Sequence, residues 1–338
     1  MAKSGIDEPC HCGSGLTYYQ CCYTEDILHS GPEGVEHPDS SILSSLKNQV
    51  FGSFEELQDA AQRLTEASNQ APLANFHGLS PSQMFRFLHY PFDFPDLVAF
   101  NLELKHFPES PFFRLFPFLL SAMAKEHLKA TAKGMLPVKL VRETALWYYG
   151  EEKYRDRQRY MSFRTETDFP VLHTVRIVAE LSGFIRKYKG RFKLTKDGEN
   201  LVKTGMDGKA FIRIFTAYTR KFNWGYNDRY PDIQIIQQGF LFTLFLLTKF
   251  GGEFRPAAFY EDSFLTAFPL ALKTIPELSY STPEETFQRC FSIRALARFG
   301  HFFGFVEFDN SVKEKRHLEQ QPLRKTPFLD EWVRFHVD

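Results

Sequence analysis

Apolar positions recur every three or four residues through most of this chain and alternate with basic ones in the stretch 183–195. From Ser40 to Ala67 the residues Ile42, Leu43, Leu46, Val50, Phe54, Leu57, Ala61 and Leu64 keep helical spacing. Gly52 and Ser53 divide that run, so two amphipathic helices are predicted. Ser80 followed by Pro81 reads as a helix start, with the helix ending before Pro91. Further helices are predicted over 112–132, from Leu136 toward Trp147, and from Thr167 through Leu181, with a polar, arginine-rich stretch from Glu151 to Thr165 between the last two. Gly183 breaks the pattern. Phe184 to Thr195 then alternates as a β-hairpin does, and Thr195 caps another helix. Phe211 to Phe250 reads as two helices joined by the aromatic, turn-rich connector 223–231.

The helix-rich pattern makes the fold class mainly α with small β-hairpins (α+β). The divisions are an N-terminal knuckle over 1–24, a linker over 25–39 rich in Gly and Pro, a helical region over 40–132, a first helix-and-hairpin unit over 133–205, connecting helices over 206–250 and a second such unit over 251–338. The second unit is read from an echo: Arg294 to Glu307 resembles Arg176 to Ile185, and Arg324-Lys325-Thr326 resembles Lys193-Leu194-Thr195.

Composition sharpens this in two places. With 37 Phe in the chain, the cores must be built on phenylalanine and its ring contacts. The net charge of zero hides an uneven distribution: 8 basic and 16 acidic side chains over 1–132, against 20 and 10 over 133–221. A basic middle either meets nucleic acid or faces the acidic front of the same chain. The most apolar run, Gly239 to Thr248, is too short to cross a bilayer, and Met1 to Pro9 lacks a secretory pattern, so a cytoplasmic protein with no membrane partner is expected.

Four of the five cysteines fall within thirteen positions, as Cys10, Cys12, Cys21 and Cys22. In a reducing compartment such clustering favours a metal over disulfides, and four thiolates close a tetrahedral Zn2+ site. Gly13 and Gly15 permit the chain reversal between the two pairs. His11 is the alternative ligand. Cys290, flanked by Phe287 and Phe291, is expected to be a buried structural thiol.

The segment Pro9-Cys-His-Cys-Gly-Ser-Gly-Leu-Thr-Tyr-Tyr-Gln-Cys-Cys22 resembles the SEC-C family, with Leu16-Thr17 where that family usually has lysine. The resemblance implies a structural zinc and a module that contacts a protein or ribosomal partner. Residues 136–203 resemble winged-helix domains through the order helix, helix, Gly183-Phe184-Ile185, basic hairpin, Leu194-Thr195. That resemblance implies a recognition helix carrying His173, Thr174 and Arg176, and a wing carrying Arg186, Lys187, Lys189, Arg191 and Lys193.

Catalytic signatures are lacking in the sequence. Gly13-Ser14-Gly15 has neither the spacing nor the preceding strand of a nucleophile elbow. Gly205 to Ala210 is too short for a phosphate loop, and Glu126-His127 lacks the helical histidines of a zinc protease. His77, His89, Asp93 and Asp96 could share a cleft, although polar residues near prolines more often cap helices. The first expectation is therefore a non-catalytic, zinc-containing adaptor. The second is a nucleic-acid-binding regulator that uses the basic 133–221 segment.

Overall fold

The computed structural model describes residues 45–47, 49–226, 228–277, 279–309, 311 and 321–337. The chain divides into two units, Met1–Pro72 and Leu73–Asp338. In the first, α1 (Phe54–Gln70) starts where Gly52-Ser53 broke the periodicity, and Ser53 Oγ accepts from the Glu56 amide at 3.1 Å.

The second unit is mainly helical with small antiparallel sheets. It opens with α2 (Pro81–His89), whose start follows from its sequence. Ser80 Oγ accepts from Gln83 N at 3.2 Å, while the Gln83 side chain returns a bond to Ser80 N at 2.8 Å. β1 (Val98–Phe100), α3 (Pro111–Lys125) and β2 (Leu128–Lys129) follow, then α4 (Val138–Tyr149), α5 (Glu151–Gln158) and α6 (Pro170–Leu181). The periodicity predicts one helix over 112–132. It ends instead at Lys125, because Leu128 and Lys129 pair with the hairpin.

The hairpin is β3 (Ile185–Tyr188) and β4 (Arg191–Leu194), and β2 completes a three-stranded sheet in the order β2-β4-β3. α7 (Lys196–Thr204) and α8 (Gly208–Arg220) lead to the connector and then to α9 (Gln234–Gln238) and α10 (Phe240–Phe250). Phe240 to Leu247 of α10 are all buried, so the apolar run is a core helix. Among the described residues no helix is long and apolar enough to cross a membrane.

The last quarter comprises α11 (Ala257–Ala267), α12 (Pro283–Phe291), a π-helix (Ser292–His301) continuous with it, β5 (Val306–Phe308), β6 (Leu323–Lys325), α13 (Pro327–Trp332) and β7 (Val333–Phe335). The echo between the two units makes Lys313-Glu314-Lys315-Arg316 the counterpart of the first hairpin's basic run, and that segment lies outside the described residues. β7 pairs with β1, Ala99 opposite Arg334, so the chain end closes against the start of the same unit.

The sequence echo has a geometric counterpart. Gly183 and Gly304 both have φ +76°, a conformation a side chain resists. The next residue donates back into its helix in each case, Phe184 N to Ala179 O at 3.0 Å and Phe305 N to Gly300 O at 2.8 Å. Thr195 Oγ1 then reaches Gly183 O at 2.8 Å, and Thr326 Oγ1 reaches Gly304 O at 2.6 Å. A short third strand precedes each arrangement: β2 in the first, and the Arg255–Leu323 bridge in the second. With Gly183 set on Gly304, His173 corresponds to Arg294 and Arg176 to Ala297. The register differs from the sequence echo, which placed Arg294 on Arg176.

Phenylalanine rings fill the core of this unit, as the composition requires. Phe211 lies 4.4 Å from Trp332, 5.1 Å from Phe113 and 5.6 Å from Phe303, all ring to ring. Cys290 is fully buried, and burial pushes its thiol up to about 12. The burial that Phe287 and Phe291 predict for Cys290 is observed, and the thiol is free.

Candidate nucleic-acid interface

The hairpin turns at Lys189 and Gly190, both at positive φ (48° and 70°), the pair of left-handed residues that a two-residue turn requires. Strand alternation then sorts the side chains. Ile185, Phe192, Leu194 and Leu128 are buried, and they fix the inner face. Their neighbours in sequence must point outward.

The antiparallel register sets Lys129 opposite Arg191, Arg191 opposite Tyr188, and Lys193 opposite Arg186. Directly opposed residues share a face. Lys129, Arg186, Arg191 and Lys193 therefore form one patch around the half-exposed Tyr188 ring. Arg186 Cζ lies 5.8 Å from that ring centre, Lys193 Nζ 5.6 Å and Lys189 Nζ, from the turn, 5.4 Å. Among the described residues none of these cations has a carboxylate within ion-pair distance, and the Arg191 guanidinium reaches only the His127 carbonyl, at 3.4 Å. The face is positive, aromatic at its centre and open to solvent. Lys187 belongs to the opposite face, where its Nζ approaches Gly134.

The helix expected to read bases behaves differently. On α6, His173 is only 4 % exposed and Arg176 only 9 %, while Thr174 is half-buried. Both buried residues turn toward Glu166, in the 3₁₀ turn before α6, whose carboxylate is fully buried. Its Oε1 accepts from His173 Nδ1 at 2.7 Å and from Arg176 Nε at 2.8 Å, and its Oε2 from Leu136 N at 2.5 Å. Arg176 also holds Glu180 at 2.5 Å. Burial alone would raise the Glu166 carboxyl. The His173 hydrogen bond, the Arg176 charge and hydrogen bond, and the Leu136 amide outweigh it and hold Glu166 below the ordinary carboxylate value. This corrects the sequence expectation for His173 and Arg176, which brace the unit from inside, and leaves the hairpin cations as the surface group.

Sequence reasoning missed Glu166 because it lies in a polar stretch beside the capping residues Thr165 and Asp168. Nothing local distinguishes a carboxylate whose cationic partner comes ten residues later. Cys10, Cys12, Cys21 and Cys22 lie outside the described residues. Among the described residues no three His, Cys, Asp or Glu side chains gather as metal ligands would, His77, His89, Asp93 and Asp96 included.

Residues 109–207 match the Y4jL N-terminal domain family, less than a third of the chain but all of the three-stranded sheet and the Glu166 network. No curated protein and no solved structure matches the chain. The match corrects both resemblances read from the sequence: the family found is neither SEC-C nor winged-helix, and over 136–203 it is the Y4jL N-terminal domain that the chain is similar to.

Proposed function

We propose that the protein binds nucleic acid through the outer face of its three-stranded sheet. The observation that carries this is the single patch of Lys129, Arg186, Arg191 and Lys193 around Tyr188, free of carboxylate partners among the described residues. Four cations on a twisted sheet suit the spacing of backbone phosphates, and an exposed ring between them offers a stacking surface for an unpaired base. The excess of basic residues over 133–221 supports the same reading. The experiment is fluorescence anisotropy of the full chain with a mixed-sequence duplex and with single-stranded RNA. For four phosphate contacts, log K should fall with log salt with a slope of about −3 to −4. No binding at 50 mM salt, or binding indifferent to salt, would overturn the proposal.

A second reading rests on the cysteines alone: Cys10, Cys12, Cys21 and Cys22 hold one structural Zn2+. Two close pairs of thiols with glycines between them supply four soft ligands and the turn that brings them together. Elemental analysis of purified protein should give one zinc per chain, lost on Cys12→Ser with Cys21→Ser. A chain that neither carries zinc nor takes it up when reduced would refute this.

A further inference from the structure

A cavity of about 850 Å3 opens between α6 and the π-helix, the helices that precede Gly183 and Gly304, beneath the connector 223–231. That volume falls within the range of small-molecule sites. It is not part of the sheet face, and the nucleic-acid reading makes no use of it.

Its interior is aromatic. Tyr218 and Phe302 are both buried and stack at 5.5 Å, and Tyr218 Oη is anchored on Arg298 O at 2.5 Å. Trp224 donates its indole N–H to Tyr218 O at 3.1 Å, so the ring is fixed as part of the wall. On the other side Tyr226 lies over His173, ring centres 5.6 Å apart. A carboxylate oxygen only accepts, so the His173 Nδ1 proton is committed to Glu166, and Nε2 faces the cavity, 3.4 Å from Tyr226 Oη.

The charged groups of the lining are all basic. Arg157, Arg229 and Arg298 contribute three guanidinium groups, and no Asp or Glu lines the cavity. The carboxylate beside Arg298, Asp228, is already engaged. Arg294 grips it with Nε to Oδ2 at 2.7 Å and Nη2 to Oδ1 at 2.9 Å, which leaves Arg298 at 3.6 Å from Oδ2. One negative charge thus serves two arginines. Arg298 and His301 also stand on a ten-residue π-helix, a conformation that is rare and concentrated at functional sites.

We propose that this cavity binds a small aromatic anion, with its ring against Tyr218, Trp224 and Phe302 and its negative group at Arg298 and Arg157. An apolar molecule would leave Arg157 and Arg229 without a counter-charge and Arg298 sharing Asp228 with Arg294, and a simple inorganic anion would leave the aromatic wall unused.

The test uses the full chain and two dyes of similar shape, anionic 1-anilinonaphthalene-8-sulfonate and neutral N-phenyl-1-naphthylamine, followed by fluorescence titration. The anionic dye should saturate at one per chain and bind at least tenfold more tightly than the neutral one. Arg298→Gln should remove most of that preference while binding of the neutral dye changes less than twofold. If that variant does not fold, as judged by near-UV circular dichroism, Arg157→Gln carries the same test from the exposed α5. Equal affinity for the two dyes, unsaturable uptake of several dyes per chain, or an unchanged anionic preference in the folded variants would each overturn the proposal. None of these outcomes bears on the sheet face.

Discussion

Replacing Glu166 with glutamine is expected to cost about 3 kcal/mol of stability at neutral pH, measured as a fall in the urea midpoint with an unchanged slope. The substitution keeps the shape and removes one charge. Arg176 and His173 are then left beside a neutral amide in a space where Arg176 is 9 % exposed, and the amide NH2 opposes one of the donors that the carboxylate accepted. Arg176 keeps Glu180, so the cost falls at the lower end of the 3–5 kcal/mol typical of a broken buried pair. The pH dependence identifies the cause. Because the folded carboxyl sits below its unfolded value, the ionised group contributes stability that is fully present above about pH 4.3 and is lost as pH falls through the lower folded value. The difference between the two proteins should therefore be large at pH 7 and shrink in acid. A constant difference down to pH 3 would mean that packing, not charge, is what Glu166 supplies.

The parts of this fold that could be read from the sequence are those whose cause is local. Ser80 and Pro81 mark a helix start within two residues, and α2 begins there, with Gln83 completing a capping box. The alternation after Gly183 is a hairpin because side-chain period two is visible in a dozen residues. The parts that could not be read depend on partners far away. β2 is two residues long and exists only because β4, over sixty positions later, offers it an edge. The pairing of β1 with β7 joins Val98 to Phe335. The Glu–Lys–Arg stretch over 151–158 reads as a polar connector but forms α5, since charged residues with good helix propensity need no buried stripe to hold two turns. The same distinction runs through the functional residues. The hairpin cations are legible as a basic run, whereas the cavity draws Arg157, His173, Tyr226 and Arg298 from four separate elements.

Reversing Arg186 and Arg191 together to glutamate is expected to abolish nucleic-acid binding, by more than about 100-fold at 0.15 M salt, while leaving the protein at least as stable. The two effects have one origin. Arg186 stands directly opposite Lys193, and Arg191 directly opposite Lys129. Like charges so placed repel, and opposite charges attract, by roughly 0.2–1 kcal/mol per pair. Each reversal turns a repulsive pair into an attractive one, so the unfolding midpoint should hold or rise. The net charge of these four outer-face positions meanwhile goes from +4 to zero, each remaining lysine facing a glutamate, and phosphate loses its counter-charge. Lys187→Glu is the control, because Lys187 points to the other face of the same strand. It should weaken binding less than about threefold, since a charge off the contact face acts only through a screened field. If the double variant binds as before, the sheet face is not the interface. If Lys187→Glu weakens binding as much as the double variant, net charge alone governs the interaction and no face is selected.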